Sequence, residues 1–233
     1  MRERKFIKSG IAGLDKISGG GFLEGSIITI GGPTGSGKST FGMQFLYEGA
    51  KQFSEAGMYV AIEESKDSML FNMSGYKWDL ADIEKKQKLV FLDYPVYEVD
   101  QFLQQSGAVK EIINTFNVKR VVVDSIMPIA LFFKTDEERK KGFLKLIDNI
   151  RSWGATTMVV SEDTTVSTAD ALPATAYGIE SFTDGWINIG FRYDSKKNER
   201  VRMLEVLKMK GAYHSMKTYP VKMDENGFTV LTK

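Results

Sequence analysis

The chain has 233 residues, with 31 Lys and Arg against 30 Asp and Glu, a single His and no Cys. That length suits one domain over residues 1–233 with a sizeable core, and not two full domains. Without Cys and with one His there is no disulfide, no thiol nucleophile and no ligand set for structural zinc, so any metal must be held by oxygen, and a net charge of +1 argues against a permanent nucleic-acid coat.

In chain order, the opening MRERKFIKSG lacks the apolar stretch of about 7 to 15 residues that marks a secretory signal, so a cytoplasmic location is expected. Short β-branched runs at 26–30, 58–62, 89–93, 120–124 and 156–161 predict buried parallel strands. Between them, Phe41, Phe45 and Leu46, and then Phe143, Leu146, Ile147, Ile150 and Trp153, recur at helical spacing. Alternating strands and helices predict an α/β fold, a mostly parallel sheet flanked by helices. After Trp186 the pattern changes: strands at 186–193 and 200–208 flank a polar turn at 194–199. Two shorter strands near Thr218 and Phe228 complete a C-terminal antiparallel extension.

The longest apolar run, 121–133, is interrupted by Asp124 and Pro128 and falls short of the roughly 18 to 20 residues of a membrane span. Its second half, 126–133, is expected to pack beneath the sheet or at a subunit interface. Basic clusters at 2–8, 139–145 and 196–202 read as solvated faces. The irregular stretch 162–177 is long enough to suggest a functional loop.

Gly32-Pro33-Thr34-Gly35-Ser36-Gly37-Lys38-Ser39 satisfies G-x-x-x-x-G-K-[ST] between a predicted strand and a predicted helix, with Thr40 continuing that helix. Glycines let successive backbone N–H groups curl toward phosphate oxygens, and the helix adds its positive end. Lys38 would reach the β and γ phosphates of a nucleotide, and Ser39 would join a Mg2+ shell. Asp124, ending a run of three valines, is the acid expected to hold Mg2+ through a water. Glu63 and Glu64 end the strand 58–62, and two adjacent carboxylates at a strand mouth suggest a base for the attacking water. If the strand persists through Glu64, only one of them can face the γ-phosphate, and Glu63 is the choice.

Six segments occur in order: GLDKISGGG (13–21), GPTGSGKS (32–39), YVAIEES (59–65), VVVDS (121–125), YGIESFTD (177–184) and LKMKGAYHS (207–215). Together they resemble the KaiC-like ATPases of the RecA superfamily, over one ATPase domain, whereas the clock protein that names the family has two. The resemblance implies a RecA-type P-loop NTPase core and a homo-oligomeric ring, usually of six, with ATP between neighbours. It implies that Lys208, Met209 and Lys210 approach the nucleotide of the adjacent subunit, with His214 and Asp224 near the nucleotide edge. Lys210 stands where the family often has Arg; an ammonium cannot grip phosphate bidentately, so slow hydrolysis is expected.

Some family members phosphorylate themselves in the segment matching 179–184, where Ser181 is the matching hydroxyl and Thr183 an outside candidate. A kinase acting on itself or a partner is therefore one alternative, and a nucleotide switch recruiting a protein partner another. A recombinase-like, DNA-stimulated ATPase is a third, but the segments matching the channel loops, 126–135 and 162–177, hold one Lys against Glu162, Asp163 and Asp170. Nucleic acid in such a channel is not expected.

Overall fold

A strand whose side chains are apolar in both directions must be covered on both faces, and four of the runs identified above lie inside such a sheet, whereas 89–93, expected to be buried, forms its edge strand with only Leu89 buried. The computed structural model describes residues 4–95, 98–162 and 172–233. Strands β1 (Phe6–Ile7) and β2 (Phe22–Leu23) form a small antiparallel pair. The main sheet contains β3 (Ile27–Gly31), β4 (Ala56–Ala61), β5 (Leu89–Asp93), β6 (Val118–Asp124) and β7 (Thr156–Val160), followed by β8 (Gly185–Asp194), β9 (Glu199–Met209), β10 (Tyr219–Asp224) and β11 (Gly227–Val230). Its order is β11-β10-β9-β8-β3-β7-β6-β4-β5. The strands from β8 to β5 are parallel, and β9, β10 and β11 extend the sheet antiparallel. The predicted α/β class and C-terminal extension are both present. The β8–β9 hairpin is longer than expected, because Asp194 and Glu199 pair and leave only 195–198 for the turn.

The helices are α1 (Leu14–Ile17), α2 (Lys38–Phe53), α3 (Lys66–Met73), α4 (Leu80–Lys85), α5 (Val99–Gln104), α6 (Ser106–Thr115), α7 (Met127–Phe132) and α8 (Asp136–Trp153). Alternation along each strand divides the core in two. Ile28, Ile30, Val122 and Met158 pack with Phe41 and Phe45 of α2 on one face; Ile27, Met58, Val121, Val123 and Val159 pack with Phe143, Leu146 and Ile150 of α8 on the other. Each such side chain contributes roughly 1.5–3 kcal/mol when fully buried. A capping box between Thr135 and Glu138 starts α8, and Gly154 at φ 72° ends it.

Residue 120 is the first surprise, an Arg with no exposed surface near the start of a central strand. Its guanidinium lies over the rings of Phe45 and Phe53, at 4.6 and 5.2 Å, pairs with Glu55 at 2.6 Å and donates to the Phe45 carbonyl at 3.0 Å. A buried charge is tolerable on those terms, paired and hydrogen-bonded. The end of α2 can pass over it because residue 49 is Gly: a Cβ there would lie 2.4 Å from Arg120 Cδ.

The apolar segment after β6 divides between two environments. Pro128, Ile129 and Ala130 of α7 are buried as expected, but Leu131 and Phe132 are 65% and 50% exposed. Among the described residues no helix is long and apolar enough to cross a membrane.

Candidate nucleotide-binding site

Where β3 ends, the chain turns through residues 32–37 and enters α2 at Lys38. Gly37 precedes the helix at φ 93°, and a Cβ there would meet the Phe228 ring at 2.7 Å. No side chain caps α2, so the amides of its first turn keep their donors for an anion. The Ser36 hydroxyl is buried with no hydrogen-bond partner among the described residues. Lys38 is buried and folds back, donating to the carbonyls of Gly32 at 2.8 Å and Pro33 at 3.1 Å. From outside, Arg202 of β9 holds the loop through the carbonyls of Ser36 (Nε, 2.8 Å) and Gly35 (Nη2, 3.3 Å), its guanidinium lying over Phe191 and Phe228. The cluster 196–202 is thus not wholly a solvated face: burial lowers the Arg202 pKa, and its donors are used on the loop. Arg139 departs similarly from its cluster, donating to the Ala130 carbonyl and lying over Tyr177.

Thr34, Gly35, Gly37, Lys38, Ser39 and Thr40 line a cavity of about 410 Å³, together with Glu63, Glu64, Asp124 and Glu162. Asp124, the last residue of β6, is hydrogen-bonded by Ser39 and by the Tyr59 hydroxyl. Burial raises its carboxyl above the usual range; those two bonds and the charge of Lys38 oppose the rise. The two glutamates do not obey strand alternation, because β4 ends at Ala61 and the backbone bends through 62–64 before Ser65 caps α3. Both therefore line the cavity, on different terms. Glu64 accepts from Ser68 and Asn72 of α3, each at 2.5 Å. Glu63 faces Asp124, Ser125 and Glu162: burial raises its carboxyl, the two neighbouring acids add to the rise, and a hydrogen bond from Ser125 works against it.

The oxygens of Ser39 and Asp124, side by side in the cavity, suit a hard divalent cation such as Mg2+. Among the described residues no group of three or more His, Cys, Asp or Glu side chains gathers to hold a metal alone. A cation here would therefore share its shell with phosphate oxygens and water.

Asn72 and Met223 also line an adjoining cavity of about 460 Å³ with Tyr76, Arg202, Asp224 and Glu225. Asp224 thus sits beside the phosphate loop of its own chain, whereas Lys208, Met209 and Lys210 do not. Strand register decides this: Met209 pairs with Gly185, which pairs with Ile28, at the start of β3. Gly32 lies four residues further on, about 13 Å at 3.3 Å per residue, and two strands away. There Lys208 donates to the carbonyls of Glu180 (2.9 Å) and Ser181 (3.5 Å), and Lys210 lies 3.5 Å from Asp184. His214 is half-buried in the following loop, its Nδ1 3.4 Å from the Ser215 carbonyl. Ser181 is exposed on the turn Ile179–Ser181. Thr183 is not available: it is fully buried and hydrogen-bonded to Thr29 and the carbonyls of Glu180 and Gly185. Of the acids assigned to the second channel segment, Glu162 accepts from Thr34 at 3.2 Å and lines the phosphate cavity; Asp163 and Asp170 lie outside the described residues.

Residues 7–233 match the family model described as "ATPase: KaiC". The chain belongs to the KaiC ATPase family. The solved KaiC-like protein from the hyperthermophilic archaeon Pyrococcus horikoshii is 33% identical, with a TM-score of 0.84, covering 98% of this chain and 100% of that one. A UPF0273 protein of Pyrococcus furiosus is 30% identical over 96% of this chain and 93% of its own length. The circadian clock oscillator protein KaiC of Synechococcus elongatus is 29% identical over 94% of this chain, which spans only 43% of that protein. KaiC family membership, with its RecA-type fold, makes this chain an ATP-binding ATPase.

Three residues of this KaiC-family site escape sequence reading: Tyr59, Glu162 and Arg202. Tyr59 had a signal, being a polar-tipped ring in a strand with no exposed position, where a hydroxyl must find a partner. Glu162 follows β7 as Glu63 follows β4, so its place in the order of strand ends was the clue. Arg202 carried no local signal, since its contact with Ser36 spans 166 residues of sequence.

Proposed function

We propose that the chain hydrolyses Mg2+-ATP slowly at the interfaces of a homo-oligomeric, six-membered ring, as a cytoplasmic regulatory or signalling ATPase. The observation that carries this reading is the division of charged groups between the two ends of the sheet. Among the described residues the phosphate cavity is lined by the carboxylates Glu63, Glu64, Asp124 and Glu162 and by the cation Lys38. Lys208 and Lys210 lie at the other end of the sheet, suited to the nucleotide of a neighbour.

In this reading the loop amides and Lys38 hold the β and γ phosphates, Lys38 exchanging the carbonyls of Gly32 and Pro33 for phosphate oxygens. Ser39, and Asp124 through a water, would hold Mg2+, which when bound would supply positive charge to the phosphate oxygens. Glu63 takes a proton from the attacking water as its oxygen bonds to the γ-phosphorus and the bond to the ADP oxygen breaks. Its raised pKa suits it to retain that proton. Glu64, tied to Ser68 and Asn72, fixes the start of α3. The neighbour's Lys208 and Lys210 would stabilise the developing phosphate charge, with the neighbour's Met209 and His214 alongside.

Incubation with ATP labelled at the γ-phosphate tests this. Release of free phosphate is expected from the wild type, reduced by roughly 10²- to 10⁴-fold in Glu63→Gln with nucleotide binding retained. Equal release by Glu63→Gln overturns the assignment. Label retained on the protein and lost in Ser181→Ala would favour the kinase, a reading supported by the exposure of Ser181.

A further inference from the structure

Tyr59 lies in the middle of β4, where every residue from Ala56 to Ala61 is buried, and it has no exposed surface. Its ring packs near Phe91, with centroids 6.0 Å apart, a place that Phe would fill equally well. The hydroxyl therefore needs a reason beyond packing. Cross-strand register supplies one: Tyr59 pairs with Val122 and Ala61 with Asp124, so Tyr59 lies one pleat behind Asp124 and its long side chain reaches forward along the sheet. Its Oη donates to Asp124 Oδ2, and Ser39 is hydrogen-bonded to both groups.

Asp124 is thus a buried carboxylate held by two hydroxyls of different standing. Ser39 belongs to the phosphate loop, and its oxygen is the one asked to join a cation's shell. Tyr59 belongs to the rigid centre of the sheet and can hold the carboxylate whatever Ser39 does.

We propose that Tyr59 is a positioning residue for the magnesium-bound nucleotide: by fixing the Asp124 carboxylate from within the sheet, it sets how much Mg2+ tightens nucleotide binding. This rests on the reading of Asp124 and Ser39 as the Mg2+ side of the site. Partners that orient metal-binding groups typically contribute 10- to 100-fold to metal affinity.

The test is titration of the purified full chain with ADP carrying a fluorescent ribose label, in EDTA and in excess Mg2+, with melting temperature recorded for each variant. Tyr59→Phe should bind the labelled ADP as the wild type does in EDTA, but gain roughly tenfold less affinity from Mg2+. In an Asp124→Asn background the same substitution should change nothing further, since its effect acts through that carboxylate. A Mg2+ gain in Tyr59→Phe equal to that of the wild type overturns the proposal alone. Equal weakening with and without Mg2+, or an undiminished effect in Asp124→Asn, also overturns it by making Tyr59 a packing residue. A wild type whose affinity ignores Mg2+ overturns the underlying reading of the site, and this proposal with it.

Discussion

Where β3, β4, β6 and β7 end, the chain releases Lys38 and Ser39, Glu63 and Glu64, Asp124 and Glu162 into one cavity, whereas at the start of β3 the charged groups neutralise one another. At that second end Asp184 accepts from the Ile27 amide at 3.1 Å and from Arg151, and stands 3.5 Å from Lys210. The first end holds mutually repelling carboxylates, which Lys38 and neighbouring hydroxyls relieve in part and an added cation would relieve further. The second holds lysines whose present partners are a shared carboxylate and two carbonyls. In the proposed ring the acid-rich cavity of one subunit would face the lysine end of the next, whose ammonium groups would exchange their present partners for phosphate, a head-to-tail arrangement that closes when the rotation allows.

The largest expected effect comes from removing Lys38, the one cation among the described residues that line the phosphate cavity. Lys38→Ala should weaken ATP binding by about a hundredfold or more, because a buried cation paired with an anion is lost. Fluorescence titration of labelled nucleotide would show it, and near-normal affinity would mean that the cavity does not bind phosphate. The two-ended arrangement is probed next with Lys208→Ala and Lys210→Ala. Each should leave nucleotide binding by the isolated chain within about twofold of the wild type while lowering phosphate release by roughly 10²-fold, below the 10³ to 10⁵ of a planar arginine finger. Mixing Lys210→Ala with Glu63→Gln subunits should restore part of the activity, since some interfaces would then pair an intact base with an intact lysine. No restoration in a mixed assembly would remove the trans role.

How far each end could be read from the sequence follows from how it is built. At the phosphate end, Gly32 to Ser39 is contiguous and chemically specific, and Asp124 stands at the end of a valine run, so local patterns carried most of it. What stayed hidden there depends on three-dimensional placement. Glu63 and Glu64 share the cavity because β4 stops at Ala61, which strand alternation could not anticipate. Arg202 grips the loop across the one intervening strand, β8, and its sequence neighbours Lys196, Lys197 and Arg200 are exposed, so composition pointed to solvent. Strand existence was legible because β-branched runs buried on both faces have few alternatives. Arg120 fell inside one of those runs with nothing to announce the aromatic slot formed by Phe45 and Phe53. At the lysine end, nothing local relates Lys210 to Asp184; the bulged pairing of β8 with β9 brings them together.

The smallest expected effect asks whether the lysine end is held together by charge. Burial alone would raise the Asp184 carboxyl, but hydrogen bonds from Arg151 and the Ile27 amide, with the charges of Arg151 and Lys210, hold it below the usual carboxylate range. A depressed pKa in the folded state means that the ionised carboxylate favours folding. That contribution is present above the unfolded value of about 3.9 and is lost as pH falls through the lower folded value. Asp184→Asn keeps an acceptor oxygen for the Ile27 amide while removing the charge and one of the two oxygens that face Arg151 and Lys210. Because Arg151 is 48% exposed and Lys210 56%, solvent screens both pairs, and the expected cost near pH 7 is about 1 kcal/mol. Urea unfolding of wild type and variant should show that gap at neutral pH, with closure starting only below about pH 4 and completed as pH falls through the lower folded pKa, where the folded carboxylate takes up its proton. High salt should narrow the gap at neutral pH as well. A difference that persisted unchanged in acid would mean that Asp184 acts through the shape of its hydrogen bonds, and that the lysines beside it owe their placement to the β8–β9 pairing alone.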